Sequence, residues 1–100
     1  MHIHTVYFWL KDDLTDAQVA AFVEGLESLL TIKPMIAAEI GVPIPSHREV
    51  VDSSYDYSLH MQFETTADQD AYQEHPVHAA FVEQHKDKWI RVTVYDCERV

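Results

Sequence analysis

The sequence predicts an α+β fold: a four-stranded antiparallel sheet with helices packed on one face. Three observations carry this prediction. Apolar runs with strand periodicity open and close the chain. Two Thr-x-x-Gln segments, Thr15–Gln18 and Thr66–Gln69, have the pattern of a helix N-terminal capping box. Gly and Pro, six residues in all, are concentrated where such elements would have to end.

Residues 3–10 are apolar or aromatic almost throughout and read as a strand covered on both faces. His4, Val6, Phe8 and Leu10 share one face, and Ile3, Thr5, Tyr7 and Trp9 the other. After Lys11-Asp12-Asp13, the box at Thr15 opens a helix whose stripe is Val19, Phe22, Val23, Leu26, Leu29 and Leu30. Gly25 weakens this helix, but six apolar positions outweigh it. Pro34 closes it, and residues 35–42 read as a second strand. Gly41, Pro43 and Pro45 then lead into a loop with His47 and Arg48. Tyr57, Leu59, Met61 and Phe63 alternate with polar residues, the signature of a half-buried third strand. The box at Thr66 starts a short helix bearing Tyr72. Pro76 suits the first turn of another, because its missing N–H costs nothing there. That second segment carries His78, Phe81, Val82 and His85 on one side, and residues 89–95 form the last strand. The order strand, helix, strand, strand, helix, strand is most simply ferredoxin-like.

One hundred residues, nearly half of them apolar, suffice for one domain spanning 1–100. Seven Lys and Arg against seventeen Asp and Glu give a formal charge of -10 without a basic cluster, so nucleic acid and anionic membranes are poor partners. The lone Cys97 excludes an intrachain disulfide framework. With no signal-peptide pattern and no apolar run of membrane-spanning length, a cytoplasmic location is expected. Only one sheet face can be covered by these helices. Thr5, Tyr7, Trp9, Thr93 and Tyr95 would leave aromatic rings on the other, and a second copy facing it would close two sheets into a barrel-like homodimer.

The segment Tyr72-Gln73-Glu74-His75-Pro76-Val77-His78 is the richest in chemistry. Imidazole exchanges protons near neutral pH, and a phenol is a natural hydrogen-bonding companion. Two readings stand for His78: a general base in a partly dry pocket, or a buried histidine hydrogen-bonded to backbone. Tyr72 is equally well explained by packing, and His75, before a proline, by a turn or cap role. His2 and His4 form an H-x-H pair, but two ligands do not make a metal site. With only Gly25 and Gly41, the chain has no phosphate-cradling loop, and Cys97 lacks a nearby His for nucleophilic work. No metal or cofactor is expected.

The chain resembles the stress-responsive dimeric α/β-barrel family along nearly its whole length. The resemblance rests on His4, Phe8-Trp9-Leu10-Lys11, the Tyr55–Leu59 lead-in to the third strand, Phe63, Tyr72, His75-Pro76-Val77-His78, Trp89 and Val94-Tyr95-Asp96. It implies a homodimer with a small pocket between sheet and helices. The family includes a plant polyketide cyclase that works without cofactor. Carried over by position, this implies His78 as base, Tyr72 beside it and His4 in the same pocket as the catalytic set. A third-strand pocket histidine of the cyclase corresponds to Tyr57, a departure that argues against an identical substrate and reaction. Tyr57, Phe8, Phe81 and Val82 then make the expected substrate-binding set. The expected ligand is a small apolar molecule, aromatic or polyketide-like in shape, handled by cofactor-free acid–base chemistry. A non-catalytic stress-associated binding dimer is the alternative, and a cofactor-free monooxygenase, which would consume dioxygen, a third.

Overall fold

A computed structural model describes residues 1–100. Strands β1 (His2–Leu10), β2 (Ala37–Gly41), β3 (Tyr57–Phe63) and β4 (Trp89–Glu98) form one antiparallel sheet in the order β2-β3-β1-β4. Helices α1 (Asp16–Leu29), α2 (Thr66–Glu74) and α3 (Pro76–His85) complete the ferredoxin-like order, with a single 3-10 turn, Lys86–Lys88, before β4.

The strand alternation sets the layers. His4, Val6 and Phe8 of β1 and Leu59, Met61 and Phe63 of β3 are buried beneath the helices. Phe22, Leu26 and Leu29 of α1, Tyr72 of α2 and Phe81 of α3 close over them. Antiparallel pairing places Val6 opposite Leu59 and His4 opposite Met61, so directly opposed residues share a face and pack as pairs. The Phe8 and Phe22 rings meet edge to face at 5.3 Å, and Phe81 stacks on Trp89 at 5.9 Å.

The ends of the elements follow local chemistry. Thr15 accepts from Gln18 N (3.1 Å) while Gln18 Oε1 accepts from Thr15 N (2.8 Å), a complete capping box. At α2 the cap sits one residue earlier than the sequence suggests. Thr65, not Thr66, accepts from Asp68 N at 3.2 Å. The slip matters because it releases the Gln69 side chain from capping and buries it against the sheet. His75 caps α3, its Nδ1 accepting from Val77 N at 3.1 Å, and Pro76 occupies the first turn.

Three expectations need correction. The second strand is shorter than residues 35–42: Ile36 N still donates to Gln62 O (2.9 Å), but the regular ladder covers only Ala37–Gly41. The last strand is longer than residues 89–95, because pairing with β1 continues to His2 opposite Glu98. The far face of the sheet is not bare either. The 42–56 connection folds back so that Tyr55 meets Tyr7 edge to face at 4.8 Å and Trp9 Nε1 donates to Ser54 Oγ at 3.0 Å. Arg91 lies over the Trp9 ring at 4.2 Å, while Tyr95 remains exposed.

Candidate functional site

A cavity of about 210 Å³ opens between the sheet and the α2–α3 pair. Its apolar wall comes from Val6 and Phe8 of β1, Leu59 of β3, Phe81 and Val82 of α3, and Trp89, Val92 and Val94 of β4. His4, Tyr72, Gln73 and His78 gather the polar atoms. Val94 and Gln73 are exposed, which puts the mouth between edge strand β4 and the C-terminal half of α2.

Each polar side chain arrives from an element whose periodicity aims it there. Tyr72 is on the buried stripe of α2 and is 1% exposed. Its ring is 4.9 Å from His78 and 6.2 Å from His4, both edge to face, and 5.4 Å from Phe63. Burial raises the phenol pKa above its ordinary value of 10, so Tyr72 stays a neutral donor and acceptor. His78 lies in the first turn of α3 and is half-buried. Desolvation, followed by the nearby His4, lowers its pKa below 6.5, which keeps the imidazole neutral. No hydrogen bond within the chain occupies that ring, in contrast to His75, which is engaged as a cap.

The pocket thus brings together His4, Tyr72, His78, Phe8, Phe81 and Val82, six of the seven residues singled out in the sequence. Tyr57 is the exception. It stands opposite Phe8 on β3, two residues (about 7 Å of strand) beyond the wall residue Leu59, and its ring packs against Phe22 at 5.9 Å. The Phe22 ring closes that side of the core, so Tyr57 belongs to the packing around α1 and does not line the cavity.

Sequence reasoning missed two polar groups that meet His4 from outside the cavity lining. Asp96 of β4 pairs directly with His4, and its Oδ1 lies 2.5 Å from His4 Nδ1. Gln69 Nε2 sits 2.9 Å from the same nitrogen and 3.4 Å from the Asp96 oxygen. Asp96 was visible only as part of the closing Val94-Tyr95-Asp96 segment. The strand alternation that puts Val94 on the covered face does the same for Asp96, but its partner depends on register.

No group of three or more His, Cys, Asp or Glu side chains is arranged to hold a metal ion. A second hollow of about 270 Å³ lies on the opposite sheet face, among Tyr7, Trp9, Asp52, Tyr55, Arg91 and Tyr95. It is the larger of the two but contains no imidazole.

The family model of the Stress Responsive A/B Barrel Domain (Dabb) matches residues 3–99. The chain belongs to this family. Solved structures agree with this Dabb fold. A Dabb protein from Mesorhizobium loti superposes with a TM-score of 0.80 at 24% identity, covering 99% of this chain and 96% of that one. A hydroxynitrile lyase from Passiflora edulis gives 0.81 at 18% identity, over 96% of this chain and 90% of the lyase. A dimeric ferredoxin-like protein from Thermobifida fusca gives 0.80 at 19% identity, over 98% and 90%. No curated protein matches the Dabb chain in sequence. No helix is long and apolar enough to cross a membrane.

Proposed function

We propose that this Dabb protein is a homodimer whose sheet–helix cavity binds a small, mostly apolar carbonyl compound and moves a proton on it without a cofactor. His78 is the base. One observation carries the reading: a neutral, half-buried imidazole with no hydrogen-bond partner in the chain faces an apolar cavity. A histidine retained for packing would be tied to backbone; this one keeps its ring nitrogens for a ligand. Tyr72, in edge contact with the imidazole, supplies a neutral hydroxyl for a substrate oxygen. A cavity of about 210 Å³ is smaller than the ~300–1,000 Å³ typical of drug-sized ligand sites, which limits the ligand to a small molecule. That a hydroxynitrile lyase is built on the same fold supports a lyase-type reaction.

The dimer is supported by the shape of the protomer and by the dimeric relative. A thinnest dimension of 17 Å accommodates one sheet and one helix layer. The face bearing Tyr7, Trp9 and Tyr95 is covered only in part by the 42–56 connection, and a second copy would pack over the remainder, where Tyr95 is exposed.

The test is exchange of the α-protons of ethyl acetoacetate in D2O, followed by proton NMR. Wild-type protein accelerates exchange over an equal concentration of free imidazole. His78→Gln loses about 10²–10⁴-fold, the usual contribution of a positioned general base. Equal rates for wild type and His78→Gln would remove His78 from the reaction.

A further inference from the structure

We infer that Asp96 is a positioning residue for His4, holding the ring proton on Nδ1 so that Nε2 is presented to the cavity as a second proton-transfer group beside His78. This rests on reading the cavity as a reaction site, but the tautomer it requires can be measured separately.

The argument begins with the ladder. His4 and Asp96 are directly opposed on β1 and β4, so their side chains project to the same, helix-covered face. His4 is 4% exposed, whereas the Asp96 side chain is 43% exposed. A partly solvated carboxylate therefore meets a buried ring nitrogen at 2.5 Å. An ionised carboxylate only accepts, so Nδ1 must donate. The same assignment holds whether the ring is neutral or charged, because Nδ1 carries a hydrogen in both cases.

Gln69 reinforces this choice. Its Nε2 also lies near Nδ1, at 2.9 Å, but two N–H groups cannot satisfy one another. The amide nitrogen instead donates toward Asp96 Oδ1 at 3.4 Å. Turning the amide over would set its oxygen against the carboxylate oxygen. Gln69 Oε1 is left buried without a partner, so this side chain acts as a donor to the carboxylate at the expense of its own acceptor. His2 Nε2 is 3.8 Å from the same carboxylate oxygen, too far for a hydrogen bond.

With Nδ1 committed, Nε2 is the only ring nitrogen His4 can offer. It makes no hydrogen bond within the chain, and His4 lines the cavity together with Tyr72 and His78. When His78 takes a proton from carbon, the electron pair of the broken C–H bond moves toward the carbonyl oxygen. The imidazolium of His4 can transfer its Nε2 proton to that oxygen as its charge develops, which leaves the neutral ring with its proton on Nδ1 against the Asp96 carboxylate and Nε2 bare to take the proton back. Histidines held by a carboxylate at one nitrogen and reacting through the other follow this logic generally.

The experiment is long-range ¹⁵N–¹H correlation of the histidine rings, at alkaline pH where the imidazoles are neutral, on wild type and Asp96→Ala. Wild-type His4 should show a protonated Nδ1 and a bare Nε2. In Asp96→Ala the proton should move to Nε2, and ethyl acetoacetate exchange should fall at least tenfold in kcat with KM retained. A wild-type His4 protonated on Nε2, or a tautomer unchanged in Asp96→Ala, would overturn the role of Asp96. A switched tautomer with unaltered exchange would remove His4 from the chemistry. Wild-type protein without exchange activity would instead refute the reaction site itself, while the ring spectra still decide what Asp96 does.

Discussion

Replacing Tyr72 by Phe separates packing from chemistry at the centre of the pocket. The ring is 1% exposed and wedged among Phe63, His78 and His4, and Phe keeps all of that surface. Only the hydroxyl is lost. Had it a hydrogen bond inside the protein, its removal would cost roughly 0.5–1.5 kcal/mol. It has none within the chain, so the expected change is within about 0.5 kcal/mol, or about 2–4 °C in Tm for a domain of this size. Tyr72→Ala, which empties the site, should cost about 3–5 kcal/mol and lower Tm by at least ~12 °C. Catalysis should behave in the opposite way. A phenol donating to a substrate oxygen that gains charge is worth about 1.5–3 kcal/mol, or roughly 10- to 150-fold in rate. Thermal unfolding followed by circular dichroism, paired with the ethyl acetoacetate exchange assay, reads both quantities on one sample. A Tyr72→Phe protein melting more than about 6 °C below wild type would reveal an internal partner for the hydroxyl. One with normal stability and normal exchange would show that the ring serves packing alone.

Gly25→Ala tests a close approach between α1 and α3. A Cβ there would lie 2.6 Å from His85 Nε2 and 3.0 Å from Phe81 Cδ1. The gain in helix propensity, about 0.8–1.0 kcal/mol, is opposed by overpacking of about 1–3 kcal/mol. The His85 ring is held between Phe22 and Phe81, so net destabilisation of up to about 2 kcal/mol is expected in urea unfolding; a stabilised variant would mean that the ring moves aside freely. Stability should also fall as pH drops from about 7 to 5. His78 and His85 both have lowered pKa values, each chiefly through desolvation, with His4 and Lys88 respectively adding to it. The unfolded chain therefore takes up protons first as pH falls through about 6.5, and the effect levels off below the folded-state values. Urea midpoints across that range should decline less steeply in His78→Gln and His85→Gln, and parallel declines would count against both assignments. Finally, Trp9→Glu should shift the dimer toward monomer in sedimentation at low concentration. In an isolated protomer the new carboxylate would sit beside Arg91 and be tolerated, so an unchanged mass would place the interface elsewhere.

The fold was legible because its signals are local. The β1 alternation, the box at Thr15, the start at Pro76 and the alternating third strand each follow from residues a few positions apart. The family assignment, resting on an ordered set of such segments, was legible for the same reason. The candidate site was readable to the extent that its members lie on one helical segment or one strand face. Tyr72 and His78 share a segment, and Phe8 shares a face with His4. What could not be read was register. Asp96 meets His4 only because β4 pairs with β1 as it does, 92 residues away in sequence. Tyr57 was assigned to the pocket by positional analogy, and the bulk of Phe22 separates it from the cavity. The slip of the α2 cap to Thr65 has a similar cause: Thr65 and Thr66 both suit the role, and burial of Gln69 goes with the earlier one.

The pairing of His4 with Asp96 also ties the pocket to an edge of the sheet. β4 is an edge strand, hydrogen-bonded to β1 alone, and its outer residues are largely exposed. Local opening of such a strand requires less free energy than global unfolding. Each opening would remove Trp89, Val92 and Val94 from the cavity and Asp96 from His4 together, while α1 and its contacts with β3 persist. A ligand in the cavity binds only the closed strand, so it should slow amide hydrogen exchange in β4 more than in α1. Exchange protection of the β4 amides would then report occupancy of the pocket before any substrate is known.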